Sequence, residues 1–316
     1  MTNKLPIGIV IDDPGLCAII VDKGRLYGQE RGFSEAGPMD EEAYFWANWL
    51  CGNEESEPTL ECIGSLAFTV NASMAIAVTG PAVKVVINGE ECSSWKTHAV
   101  VPADKVVISA DCPTAKMYVA LGGKWLLKHV MGSVCTVMRE GIGGLHGNGK
   151  PLVTGDTIPI RVGSIESKEV PAWLIPAYDS MKPIDVIPGY QVEEFLPLAR
   201  RRFFSADYKV TSDINRMGYR LQGPAVSSKI SNMRSEGINF GAIQFPSDGQ
   251  PIIMLRDRQT LGGYPKIGCV APYDIPRLVQ TPVDGVVCFQ ERAADDARTN
   301  WLLARSKRVR YLTESL

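Results

Sequence analysis

Apolar and polar positions alternate in short runs along most of the chain. Leu66-Ala-Phe-Thr-Val, Ala75-Ile-Ala-Val, Val83-Lys-Val-Val-Ile, Val106-Val-Ile-Ser and Met117-Tyr-Val-Ala-Leu each have the length and β-branched content of a strand. Asn88-Gly89 follows one such run and is a hairpin signal, because both residues accept positive φ. Asp248-Gly249 is a second. Short strands separated by turn residues predict a barrel or sandwich, not alternating β-α units. The helical period is clearest after Asp40. Ala43, Trp46, Ala47 and Leu50 form an apolar stripe, Glu41 and Glu42 suit the positive end of the dipole, and Gly52 sits where a C-terminal cap belongs. A short helix is predicted near Tyr273–Val279.

Residues 161–182 lose this periodicity and carry Pro171 and Pro176, with Pro183 just beyond. The pattern therefore predicts a β domain over 1–160, a linker over 161–182, a second β domain over 183–292 and a helical tail over 293–316. One motif recurs. Leu152-Val-Thr-Gly-Asp-Thr-Ile-Pro-Ile, the looser Pro102-Ala-Asp-Lys-Val-Val-Ile and Val279-Gln-Thr-Pro-Val-Asp-Gly-Val-Val each have a turn with an aspartate launching a strand.

Composition agrees: 316 residues, 45% hydrophobic, can bury a substantial core. The net charge of −2 hides an asymmetry. Residues 1–200 hold 16 basic and 24 acidic side chains, and residues 201–316 hold 17 and 11. The second half can attract an anion or an acidic partner. No basic run interleaved with aromatics points to nucleic acid. No apolar run has the length of a membrane span, and the run Leu5–Ile11 ends at Asp12-Asp13, unlike a signal peptide. Eight cysteines without a C-x-x-C pair, and three histidines, argue against zinc and for the reduced thiols of a cytoplasmic protein.

Candidate chemistry lies in polar clusters. Gly144-Leu-His-Gly-Asn-Gly-Lys150-Pro151 approaches a phosphate loop, but Pro151 replaces the hydroxyl residue that binds magnesium, and a strand is predicted next. Met181-Lys182-Pro183 matches only half of a methionine-flanked biotinyl lysine. No G-x-S-x-G elbow or histidine-base arrangement exists. Four clusters remain: Asp22–Arg25 with Ala36–Asp40; Ser212–Arg220; Ser235-Glu236-Gly237 with Gln244; and Gly249–Gly268. In the last, the buried strand Ile252–Leu255 stops at Arg256, Asp257, Arg258, Gln259 and Thr260. Gly262-Gly263 follows, letting the backbone turn or approach something closely, and then Tyr264. Arg216 can hold a carboxylate or phosphate in two-pronged fashion. Asp40 reads first as a helix cap. Arg216, Glu236, Gln244, Asp257, Arg258 and Tyr264, all near strand ends, either neutralise one another or line a cleft.

Asp22-Lys-Gly-Arg25, Gly37-Pro-Met-Asp40, Asn215-Arg-Met-Gly-Tyr-Arg-Leu221, Ser235-Glu-Gly237, Gly241-Ala-Ile-Gln244 and Asp257-Arg-Gln-Thr-Leu-Gly-Gly-Tyr-Pro265 occur in this order. Together they resemble the biotin-dependent carboxyltransferase family, over roughly residues 14–290. That family includes the C subunit of bacterial ATP-hydrolysing 5-oxoprolinase, the KipA proteins, proteins called allophanate hydrolase subunit 2, and a domain of urea carboxylase. The resemblance implies a mainly β fold: two cyclophilin-like β-barrel domains with a few short helices. It implies a partner, the KipI-like B subunit, and in 5-oxoprolinase a further A subunit. The expected activity is the ATP-driven opening of 5-oxoproline to glutamate, on a small amide substrate with no nucleic acid and no membrane. One alternative is a carboxyltransferase acting with biotin carried on another chain. Another is KipA-type regulation of a kinase inhibitor. The catalytic candidates are Asp257, Arg258 and Glu236; the substrate-binding candidates are Arg216, Gln244, Gln259, Thr260, Gly263, Tyr264 and Asp40. The chain departs from the family at two turns, with Ala103-Asp104 for Gly-Asp and Pro282-Val283-Asp284 for Pro-Gly-Asp.

Overall fold

The structure is a computed structural model and describes residues 7–178, 181–230 and 233–314. The chain divides into two compact units: Met1–Gln29 with Glu35–Ile175, and Glu30–Ser34 with Pro176–Leu316.

The first unit contains a seven-stranded and a five-stranded sheet. The larger runs in the order Gly123–Trp125, Thr157–Val162, Gly8–Asp13, Ser65–Val70, Lys105–Ala110, Val83–Ile87, Glu90–Cys92. The smaller runs Cys17–Val21, Thr59–Ile63, Lys116–Leu121, Met74–Thr79, Thr97–Val100. Alternation decides the faces. In Ser65–Val70, Leu66, Phe68 and Val70 are buried while Ser65, Ala67 and Thr69 are half-buried. The buried set joins Ile9, Ile11, Ile20, Leu60, Ile76, Val119 and Ile158 in one core. Asn88-Gly89 makes the expected hairpin, both residues at positive φ, between Val83–Ile87 and Glu90–Cys92.

The predicted helix spans Glu41–Leu50, and the Asp40 side chain accepts from Ala43 N at 3.0 Å. The recurring aspartate turn takes the same form twice. Val101 N donates to Asp104 Oδ2 at 2.8 Å and Val153 N to Asp156 Oδ2 at 2.9 Å. The strands Lys105–Ala110 and Thr157–Val162 follow. Ala103 has a left-handed φ of +77°, a conformation that glycine would adopt without strain.

The second unit is a closed seven-stranded barrel: Ile184–Pro188, Lys266–Val270, Ala242–Gln244, Ile252–Met254, Gly218–Gln222, Asp207–Ile214, Val286–Glu291. It closes where Ile184–Pro188 pairs in parallel with Val286–Glu291. Its core includes a stack of Phe203 on Phe289 at 4.8 Å, with Phe245 edge-on to Phe203 at 5.4 Å. The second hairpin signal behaves differently from the first. Ala242–Gln244 does pair with Ile252–Met254, but through a long connection in which only Gly249 has positive φ. The expected short helix is Ile275–Gln280, and the tail is helical over Ala294–Glu314. No helix among the described residues is long and apolar enough to cross a membrane. The fold is mainly β with few helices, as the sequence predicts.

Candidate functional site

The barrel strand Ile252–Met254 ends where the apolar run ends, and the chain is then stitched to the turn at Asn215. Leu255 N donates to Met217 O and Asp257 N to Arg216 O, at 2.9 and 2.8 Å. Asn215 Oδ1 shapes the turn by accepting from Met217 N at 2.8 Å and Gly218 N at 3.3 Å. The stitching places Arg216 beside Asp257. Arg216 Nε reaches Asp257 Oδ2 at 2.8 Å and Nη2 reaches Oδ1 at 3.0 Å, a two-pronged pair with both residues buried. The carboxylate expected for Arg216 is thus the protein's own.

Arg258 is buried and points inward. Its Nε donates to Ile238 O at 2.9 Å and its Nη1 to Leu255 O at 3.3 Å. Phe240 lies under two cations, 4.0 Å from Arg256 Cζ and 5.8 Å from Arg258 Cζ. Arg258 thereby ties the segment after the barrel strand to the ladder of Glu236–Gly237 and Leu261–Gly262. Thr260 supports the same ladder, its carbonyl accepting from Ile238 N at 3.0 Å.

Glu236 stands in that ladder opposite Gly262. Its carboxylate accepts from the Tyr190 hydroxyl and from Gln191 Nε2 (2.9 Å), and it pairs with the Lys266 ammonium. Gln191 Oε1 accepts from Lys266 N at 2.8 Å, so one amide braces both sides. Desolvation pushes the Glu236 carboxyl up, but the bonds from Lys266, Tyr190 and Gln191 outweigh it and hold the group below the usual glutamate range. Of the two carboxylates foreseen as a base, Glu236 is the open one, its side chain 31% exposed against 6% for Asp257.

The unusual feature lies beside Gly262. Gln244 is 2% exposed, and its Nε2 has no hydrogen-bond partner. A Cβ on Gly262 would stand 3.2 Å from Gln244 Nε2, 3.1 Å from Gln259 Nε2 and 2.6 Å from Ile238 Cδ1. A side chain at Gly262 would displace these three side-chain ends, and its φ is not in the left-handed region, so no turn calls for glycine there. Two amide nitrogens therefore converge on one bare stretch of backbone. Gly263 and the exposed Tyr264 continue from there along a groove of about 440 Å³, shared with Arg202, Met233, Phe245 and Asp248.

The structure thus gathers Arg216, Glu236, Gln244, Asp257, Arg258, Gln259, Thr260, Gly263 and Tyr264 on the second unit. Asp40 lies on the first unit, where it is fully buried and caps the helix. Tyr190, Gln191 and Phe240 were not foreseen, and Lys266, within the stretch Gly249–Gly268, was given no role. Lys266 adjoins the motif that ends at Pro265. The other three lie outside the motifs, and only the folded barrel brings them close. Among the described residues no group of three or more His, Cys, Asp or Glu is arranged to hold a metal ion.

The second unit is thus a closed β barrel that carries amide donors and a braced carboxylate at its strand ends. The model of the carboxyltransferase domain, subdomain A and B, matches residues 31–291, and the chain belongs to that family. It is similar to the C subunit of 5-oxoprolinase from Escherichia coli (strain K12), 29% identical over 95% of each protein. It is 27% identical to the urea amidolyase of Saccharomyces cerevisiae, over 82% of this chain and 15% of that protein. The solved structure of TTHA0988 superposes with a TM-score of 0.80 and 26% identity, over 91% of this chain and 56% of that one. The K. lactis urea amidolyase shares the fold, with a TM-score of 0.86 and 24% identity over 94% of this chain and 19% of that one. The chain spans little more than half of the first of these structures and about a fifth of the second.

Proposed function

We propose that the chain is the C subunit of an ATP-dependent 5-oxoprolinase and acts with the A and B subunits to open 5-oxo-L-proline to L-glutamate. The observation that carries this reading is the alignment with the C subunit of the E. coli 5-oxoprolinase, over 95% of each. The site supports it chemically. A lactam carbonyl is a poor electrophile, and it becomes reactive when its oxygen takes a phosphoryl group from ATP. Water then adds to the ring carbon and the C–N bond breaks, freeing the amine and leaving an acyl phosphate, which a second water hydrolyses to the carboxylate and phosphate. The Gln244 and Gln259 amides are donors suited to the carbonyl oxygen, and Arg258 adds positive charge beside them. Glu236, with Lys266 and Tyr190 on its oxygens, is the proton-handling group, and Tyr264 covers the substrate. Asp257 and Arg216 position this wall. The loop Gly144–Pro151 leads into the strand Thr157–Val162 with no helix following, so it offers no phosphate-loop cradle. ATP is assigned to the assembled complex.

A second reading, the carboxyltransferase component of a biotin-dependent urea or amide carboxylase, draws support from the likeness to urea amidolyase. Biotin would then be carried by another chain. The test is reconstitution with the A and B subunits. Consumption of ATP in proportion to 5-oxoproline is the expected result. Avidin-sensitive bicarbonate fixation without that coupling moves the assignment to the second reading. Neither activity, together with relief of kinase inhibition, moves it to KipA-type regulation.

A further inference from the structure

Gln191 is the most deeply buried member of the Glu236 cluster. It is 6% exposed, whereas Tyr190 is 75% exposed and the Glu236 side chain 31%. Its place is set by backbone. The strand Ile184–Pro188 pairs with Lys266–Val270, and just beyond it Gly189 N donates to Ile267 O at 2.9 Å. A Cβ on Gly268 would stand 2.3 Å from Ile187 O, so glycine lets the two strands lie this close. A single turn of 3-10 helix, Val192–Glu194, follows, with Val192 N donating to Gly189 O at 3.0 Å. Gln191 therefore enters the site from a braced turn.

Its amide is engaged at both ends. Oε1 accepts from Lys266 N at 2.8 Å. Nε2 has two hydrogens and three acceptors within reach: Glu236 Oε1 at 2.9 Å, the Tyr190 hydroxyl at 3.0 Å and Met233 Sδ at 3.4 Å. The carboxylate is the strongest of these acceptors and the thioether the weakest. Lys266 and Tyr190 are the titratable groups that face Glu236. Gln191 touches the backbone of the first and the phenol of the second. Met233 also lines the groove that runs past Gly263 and Tyr264. One buried amide thus reaches Glu236, both of its titratable neighbours and the groove wall.

We propose that Gln191 is the positioning residue of this site, fixing the Glu236 carboxylate through its own amide and through the places it gives Lys266 and Tyr190. Its meaning for catalysis rests on the reading of Glu236 given above; the positioning itself does not.

The test follows the Glu236 carboxyl by carbon NMR of the full chain from roughly pH 6 to pH 3, with the signal assigned by its absence in Glu236→Gln. Gln191→Leu removes both ends of the amide and should raise the Glu236 midpoint by at least about half a pH unit. Gln191→Glu keeps an oxygen for Lys266 N but sets a second carboxylate beside the first, and should raise the midpoint further, by about one unit or more. Should Gln191→Leu fail to fold, Gln191→Glu carries the test. A side chain that only packs would lower stability and leave the midpoint where it is, and that result overturns the proposal. In the reconstituted complex the acid limb of kcat/KM should move up together with the midpoint. An acid limb that stays in place while the midpoint moves takes Glu236 out of the reaction: the role assigned to Glu236 then falls, and the positioning stands.

Discussion

Each unit contains a tyrosine that donates to a glutamate, and the settings are opposite. Tyr118 donates to Glu61 Oε2 at 2.7 Å, with both residues fully buried or nearly so. The same Oε2 takes Met39 N at 2.9 Å, and the Tyr118 oxygen takes Asp40 N at 2.8 Å. The knot fixes the entry to the helix Glu41–Leu50. Burial drives the Tyr118 phenol far above its ordinary value, so it stays a neutral donor. In the second unit Tyr190 is 75% exposed, and Glu236 is shared among a phenol, an amide and an ammonium. The first arrangement is a finished core knot. The second stands beside donors left over: Gln244 Nε2 is buried and unpartnered at Gly262. Buried donors or hydroxyls without a hydrogen-bond partner also occur in the first unit, at Arg25 Nη1, Thr59 Oγ1 and Trp125 Nε1, so Gln244 marks a candidate site only together with the open, braced Glu236 beside it.

The contrast is sharpest at the deepest layer of the second unit, which should behave as scaffold although it touches the site. Replacing Asp257 by Asn removes the carboxylate charge from the buried pair with Arg216. The second unit should lose about 3–5 kcal/mol in denaturant unfolding. A near-neutral Asp257→Asn would mean that Arg216 is not held as a buried pair, and the layered picture of scaffold under site would fail.

Gln244→Leu probes the orphan directly. It deletes the unpartnered donor and keeps a side chain of similar size, so the fold should hold. In the reconstituted complex turnover should fall roughly 10²–10³-fold, as when one preorganised donor to a developing oxyanion is removed. Wild-type turnover would make Gln244 a packing residue and remove the distinction drawn between the units.

Tyr118→Phe should do the reverse. Loss of the hydroxyl leaves Asp40 N without this acceptor and Glu61 with one donor fewer, for about 1–3 kcal/mol of stability. Turnover per folded molecule should be unchanged. Tyr190→Phe, at an exposed position, should stay within about 0.5 kcal/mol. Equal destabilisation by the two would break the comparison.

Much of the scaffold was legible because its signals are local. Asp40 with the stripe Ala43, Trp46, Ala47 and Leu50 specifies a capped helix within a dozen residues, and Asn88-Gly89 specifies its hairpin by φ alone. Asp248-Gly249 marked a connection correctly but not its length, because Asp248 keeps negative φ and its side chain pairs with Arg220 instead. The site was legible in part. Gly262-Gly263 announced a close approach, but the groups approached are set by the barrel. Tyr190 lies 46 residues before Glu236, and Gln191 lies 75 before Lys266. Periodicity tells which face a strand buries, not which strand becomes its neighbour.

The smallest effect tests whether the second cluster is ionised as drawn. Glu236 has its folded carboxyl below the ordinary value of 4.5, because the bonds from Lys266 and Tyr190 outweigh its desolvation. A lowered folded value means that folding favours the charged form. The stabilisation is therefore complete above the unfolded value and is lost as pH falls through the lower folded one. The side chain is one-third exposed, so screening should keep the contribution under about 1 kcal/mol. Stability of the wild type and of Glu236→Gln should be compared by denaturant titration from roughly pH 6 down to pH 3. The gap between them should narrow as pH falls below that of an ordinary glutamate. A gap that stays constant across the window would mean that Glu236 carries no charge-dependent bond to Lys266 or Tyr190. The second unit's pair would then be as neutral in effect as a core contact, and the proton-handling role assigned to it would fall with the comparison.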